Sequence, residues 1–145
     1  MRASPPGWPR ISSAVFYDEP AKAIEWLCRA FGFSVRLKVE GEDGSIEHSE
    51  LLLGEGVVMV ADSKRRAPYR RSPSALGGAN TQCLMAYIDD VEAHCAQSRA
   101  AGAKVVTEPK TTDYGEDYWE DRSYEVEDLE GHHWYFSQRL RSPKR

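Results

Sequence analysis

Ten residues near the end of the chain, EDLEGHHWYF at 127–136, put two histidines and three aromatic rings directly after an acidic Gly turn. Imidazole serves as metal ligand or as acid and base near neutral pH. Adjacent residues of a strand point to opposite faces, however, so His132 and His133 cannot chelate one ion together. In IEHSELLL, His48 and Glu50 are two apart and emerge on one face with Ile46 and Leu52. If that face lines a cleft, His48 is the candidate general base and Glu50 orients it; otherwise the two are an exposed cross-strand polar pair. The stretch TTDYGEDYWED carries Tyr114, Tyr118 and Trp119, with Tyr124 just beyond. Such rings suit flat organic ligands, or else they pack on their own core or on a second subunit. Cys83 is the thiol expected to line a cleft; Cys28 and Cys95 fall on helical segments and read as inert core. Trp26 and Trp134 are assigned to packing.

The background is that of one compact soluble domain: 145 residues, 41% hydrophobic, 29% charged, formal net charge −4. No run reaches the ~18 apolar residues of a membrane span, and MRASPPGWPR has no apolar signal core. Three cysteines without close pairing point to free thiols in a reducing, cytoplasmic setting. Lys64, Arg65, Arg66, Arg70 and Arg71 form a basic segment broken by prolines. It could draw in anionic substrates, but it reads better as a solvated linker than as a nucleic-acid face, with Asp113, Glu116, Asp117, Glu120 and Asp121 as possible partners.

The elements that must position these residues come in two similar sets. ISSAVFY reads as a strand, and then Ala23, Ile24, Leu27, Cys28 and Phe31 mark one helix face, with Asp18 as cap, Pro20 in the first turn and Gly32 at the stop. Three strand-like runs follow: SVRLKV, IEHSELLL and VVMVAD. QCLMAYIDDVEAHCAQSRAAGAKVV repeats the strand, acidic cap, helix and glycine stop. A shift of 70 residues sets Tyr17 on Tyr87, Glu19 on Asp89 and Gly32 on Gly102. TEPKTTDYGEDYWED reads as a long polar loop, and RSYEVED and HHWYFSQRL as the last strands. The expected organisation is a tail at 1–10, a β-α-β-β-β module at 11–61, a linker at 62–80, a second module at 81–140 and a tail at 141–145. Neither module can bury a sheet against one helix, so the two must share a surface or fold their sheets into a joint cleft, with helices on the outside.

With the duplicated unit in place, AIEWLCRAFGF, GEGVVMVAD, YIDDVEAHCAQSRAAGAKVVTEP and the ending DYG…EGHHWYF resemble the vicinal oxygen chelate superfamily, in its glyoxalase and bleomycin-resistance-like branch. The resemblance covers roughly residues 10–140 and implies an α+β fold whose two β-α-β-β-β modules curl their sheets around a cleft. Metal-dependent members hold one divalent ion with side chains from the first and last strands of each module. By position those ligands would fall at Ser12 or Ser13, Gln82 or Cys83, Met59 or Val60, and Tyr135, of which only Gln82 or Cys83 could hold a metal.

The expectation is therefore a homodimer that binds a small organic molecule, aromatic or cationic, with no metal, other cofactor, nucleic acid or membrane. Ser13, Met59, Gln82, Cys83, Tyr114, Tyr118 and Tyr135 would line the site, and Glu50 would supply countercharge. The alternative is an isomerase, lyase or dioxygenase-like enzyme using a non-standard metal site or His48 and Glu50 as an acid–base pair. A structural dimer with a side-chain-filled cleft is a third class. The ligand itself is not readable from the sequence.

Overall fold

The computed structural model describes residues 1–65 and 67–144; Arg66, counted above in the basic linker, lies outside the described residues. The first module comprises β1 (Ser13–Tyr17), α1 (Pro20–Phe31), β2 (Ser34–Glu40), β3 (Ile46–Leu53) and β4 (Gly56–Asp62). After a short 3-10 turn at Pro73–Leu76, the second comprises β5 (Leu84–Tyr87), α2 (Val91–Ala100), β6 (Lys104–Asp113), β7 (Glu120–Glu127) and β8 (His133–Arg141). The two sheets have matching orders, β1-β4-β3-β2 and β5-β8-β7-β6. In each, the first strand runs parallel to the last and the remaining pairs are antiparallel. This is the expected α+β class, with two mixed four-stranded sheets, neither of them closed. Among the described residues no helix is long and apolar enough to cross a membrane.

Local chemistry explains the helices. Pro20 opens α1, and Gly32 closes it at φ 77, a left-handed conformation that glycine adopts without a Cβ penalty. Asp18, expected to cap α1, instead accepts a hydrogen bond from the Ser63 hydroxyl, and the N-cap residue Glu19 makes no side-chain cap bond. Asp90 does cap α2, accepting from the Ala93 amide at 3.0 Å. With N-caps at 19 and 90 and helix starts at 20 and 91, the modules are offset by 71 residues here, one more than the sequence pattern gives. The slip matters in the strands: Tyr17 is fully buried toward the helix, while Tyr87 lies half exposed on the other face.

The segment read as a polar loop is largely strand. β6 extends to Asp113, pairing Lys110, Thr111 and Thr112 with Ser123, Arg122 and Asp121. Its register shifts around Pro109, which an edge strand tolerates because the missing amide faces no neighbour.

Apolar alternation fixes the faces. Val15, Tyr17, Leu51, Val58 and Val60 point from the first sheet to α1, and Tyr124, Val126, Trp134 and Phe136 from the second into the same core. Full burial of one such side chain contributes about 1.5–3 kcal/mol. The helices do not cover the outer faces as expected; they form the seam between modules. Trp26 Nε1 donates to the Ala101 carbonyl at 2.9 Å, Gln97 Nε2 to Arg29 O at 2.8 Å, and the Phe31 ring lies 4.8 Å from Phe136. The cause is α1, which buries Ala23, Ile24, Trp26, Leu27, Ala30 and Phe31 and so needs cover on more than its own sheet. Each sheet consequently keeps an open face turned away from its helix.

Candidate functional site

The turn around the two histidines joins the modules. Asp128, buried, accepts from Tyr17 OH at 2.6 Å, from Trp134 Nε1 at 3.0 Å, and from the backbone amides of Glu130 and His132. Burial, followed by the Asp128 charge, lifts the Tyr17 phenol well above its usual range. Glu130 accepts from the amides of Asp18 and Glu19 at the start of α1, at 2.6 and 3.0 Å. His132 donates through Nε2 to Phe16 O at 2.7 Å and packs edge-on to Tyr17. His133 goes the other way, donating through Nδ1 to Glu125 at 2.7 Å. Gly131 sits at φ 89, and a Cβ there would stand 3.2 Å from that of Pro73, so only glycine fits between turn and linker.

On the open face of the first sheet His48 Nε2 donates to Glu50 Oε1 at 2.9 Å, so the pair expected from the spacing is a hydrogen-bonded dyad. Glu50 is otherwise engaged: Arg36 Nε donates to its second oxygen at 2.6 Å. The His48 hydrogen bond, then the Arg36 bond and charge, hold its carboxyl below the usual range. Glu50 is thus a fixed anion already neutralised by the chain, not a free countercharge for a ligand. His48 itself borders a hollow of about 160 Å³ with Phe16, Met59, Arg65 and Arg70.

The open face of the second sheet is aromatic. A hollow of about 420 Å³ is bordered by Tyr87, Tyr114, Trp119 and Tyr135, with Asp121 and Glu125 between them. Tyr114 and Trp119 pack at 5.3 Å. The Glu125 carboxylate, and secondarily burial, raise the pKa of the Tyr135 phenol. The Arg139 guanidinium lies over both the Tyr87 and Trp119 rings, 5.0 and 5.4 Å from their centroids, and donates through Nε to Asp121 at 2.5 Å.

The nine residues singled out beforehand do not share one hollow. Tyr114 and Tyr135 stand on the second sheet's face and His48 and Met59 on the first. Glu50 lies under His48, and Gln82 borders a third hollow between the linker and β1. Ser13 lines a fourth, apolar one with Phe33 and Trp134. Tyr118 is exposed beside Trp119, and exposed Cys83 precedes β5 rather than lying on it. Burial raises the thiol pKa of both Cys28 and Cys95, in keeping with inert core. Arg36, Glu125 and Arg139 were missed, and Asp121, read as a partner of the basic linker, instead holds Arg139. Period-two alternation would have placed Asp121 and Glu125 on the Tyr135 face had β7 been started at Glu120.

The donor set does not fit a divalent metal. At the two register pairs nearest the positions expected for ligands, Ala14 stands beside Met59 and Met85 beside Tyr135, and of these four side chains Tyr135 alone offers oxygen. No three His, Cys, Asp or Glu among the described residues are placed to hold an ion together.

Residues 10–136 match the family described as the Glyoxalase/Bleomycin resistance protein/Dioxygenase superfamily. An uncharacterized protein of Mycobacterium bovis, Mb0911c, is 31% identical over 135 residues, which cover 92% of this chain and 85% of that protein. Among solved structures, TioX from Micromonospora sp. ML1 is 34% identical with a TM-score of 0.68, over 90% of this chain and 95% of that one. A member of the same superfamily from Sphaerobacter thermophilus matches at TM-score 0.68 and 14% identity, over 90% and 97% of the two chains. The matched family spans both modules, so this chain belongs to the glyoxalase/bleomycin resistance protein/dioxygenase superfamily.

Proposed function

We propose that the chain is a binding protein for a flat organic molecule, aromatic or cationic, held without metal on the open face of the second sheet and enclosed by a second copy. The observation that carries this reading is Arg139. The chain lays a planar cation of its own across Tyr87 and Trp119 with Asp121 as its countercharge, so these ring faces suit a flat cationic group. Glu125, which among the described residues meets His133 but no arginine or lysine, is the carboxylate left for a ligand. Exposed Met85, Tyr87 and Tyr135 leave apolar surface there for a ring system and for a partner chain. Calorimetric titration with planar cationic drugs and their neutral analogues tests it. Tyr114→Ala and Trp119→Leu are each expected to weaken binding about twofold to thirtyfold, the range of one cation–π contact. Absence of binding across the panel, or turnover of the methylglyoxal hemithioacetal, counts against a binding protein.

A second reading rests on the His48–Glu50 dyad beside its own hollow. There His48 is a metal-free base oriented by a carboxylate that Arg36 fixes in turn. That reading requires an activity that disappears in His48→Gln while the drug panel still binds.

A further inference from the structure

Between the linker and the first sheet lies a hollow of about 380 Å³ that neither reading uses, although its Phe16 and Arg70 also border the smaller His48 hollow. Phe16, Pro73 and Leu76 give it apolar walls, Arg70 and Arg71 stand at its border, and no carboxylate lines it. Arg70 is half-buried, with its guanidinium 4.9 Å from the Phe16 ring centroid and 5.8 Å from that of Tyr69. Arg36, Arg65, Arg99, Arg122, Arg139 and Arg141 each hold a carboxylate. Among the described residues Arg70 holds none. A guanidinium partly removed from water with no counterion is unfavourable unless an anion completes it. Stacking on Phe16 leaves its planar edge of N–H donors free for two oxygens of one ligand. Thr81 and Gln82 add polar groups at the same border, which gives Gln82 a ligand-facing place without any metal.

We propose that this hollow is a separate site for a small organic anion, a carboxylate or phosphate monoester on an aromatic body, gripped by Arg70 with the ring against Phe16 and Leu76. Net charge argues the same way: the chain as a whole is −4, so an anion has reason to settle only where the acidic residues are missing.

Titration of the full chain with benzoate and with phenyl phosphate, followed by nuclear magnetic resonance shifts at low and moderate salt, tests the proposal. Saturable binding of at least one is expected, weakening with salt and falling about tenfold or more in Arg70→Gln. Arg65→Gln, which removes one ion pair of Glu47, is expected to leave it within about twofold. Should Arg70→Gln fail to fold, Arg70→Lys keeps the charge but loses the stacked fork, and weaker binding is again expected. Undiminished affinity in the folded Arg70 variant overturns the proposal. So does benzyl alcohol binding as well as the anions, or inorganic phosphate binding as tightly as phenyl phosphate, since the charge or the ring would then be irrelevant. The planar cations are read in the same variants, so loss of one site is distinguishable from loss of the other.

Discussion

At the scale of single residues, His94 is the group whose burial has the clearest consequence. It sits in the seam, its ring 4.2 Å from Phe136, donating through Nε2 to Phe31 O at 3.0 Å and facing Tyr124 OH through Nδ1 at 2.6 Å. The carbonyl fixes the proton on Nε2, so the neutral ring accepts from the phenol, and a second proton would force the Tyr124 hydroxyl to turn and donate to Ser98 Oγ instead. Burial lowers its pKa, against a smaller opposing effect of the Phe31 carbonyl. The unfolded chain, with a histidine pKa of about 6.5, therefore takes up a proton that the folded chain refuses. Its stabilising contribution is complete above about pH 6.5 and is lost as pH falls from there toward the depressed folded value. Urea unfolding between about pH 7 and pH 5 is expected to show stability falling with acidity, and a shallower fall in His94→Gln. Identical slopes would refute the assignment. Asp18 and Glu50, whose pKa values are lowered from an already acidic range, act below this window. None of this was legible beforehand, because a lone histidine in a helical run carries no mark of its partners. The His48–Glu50 pair was legible, because spacing by two on a strand settles the face. Arg36 and Arg139 were not, since long side chains reach across strands to partners that only the register selects.

Elements show the same division. Helix α1 was readable from its stripe, its proline and its glycine. Its capping was not, because the carboxylate at its amino end comes from Glu130, more than a hundred residues away, rather than from Asp18 or Glu19. Two amides that would otherwise seek water, and the positive end of the helix dipole, thereby meet one negative group. Glu130→Ala is expected to cost about 1–2 kcal/mol, read as a lower urea midpoint at unchanged slope, with Glu130→Gln in between because it keeps one acceptor oxygen. No change in either variant would mean that water replaces the carboxylate without loss. β6 escaped the sequence reading for the converse reason. Its threonines, charges and Pro109 look like a loop, and only pairing with β7 makes them a strand, as edge positions exposed on most sides allow.

For the whole molecule the decisive feature is which way the sheets face. The residue pattern left open whether the modules share a surface or enclose a cleft, since a helix stripe does not say what lies beyond the helix, and only the family resemblance implied sheets curled around a cleft. In the chain α1 and α2 meet in the middle, the core runs through both modules, and the two open sheet faces look outward. Exposed apolar side chains gather on them and on the edge strand β2: Met85, Tyr87 and Tyr135 on the second sheet, Leu37 and Val39 beside Glu50 and His48 on the first. A cleft enclosed on both sides then needs a second chain, and a two-fold arrangement setting the first sheet of one copy against the second sheet of the other makes two equal clefts at once. Light scattering at micromolar concentration is expected to give the mass of a dimer, and Val39→Glu, a charge placed on the first sheet beside His48, to shift it toward monomer. Affinity for the planar cation is expected to fall with the dimer on dilution, because half of each cleft leaves with the partner. A monomer that binds as tightly as the undiluted protein would show that one sheet face is the complete site.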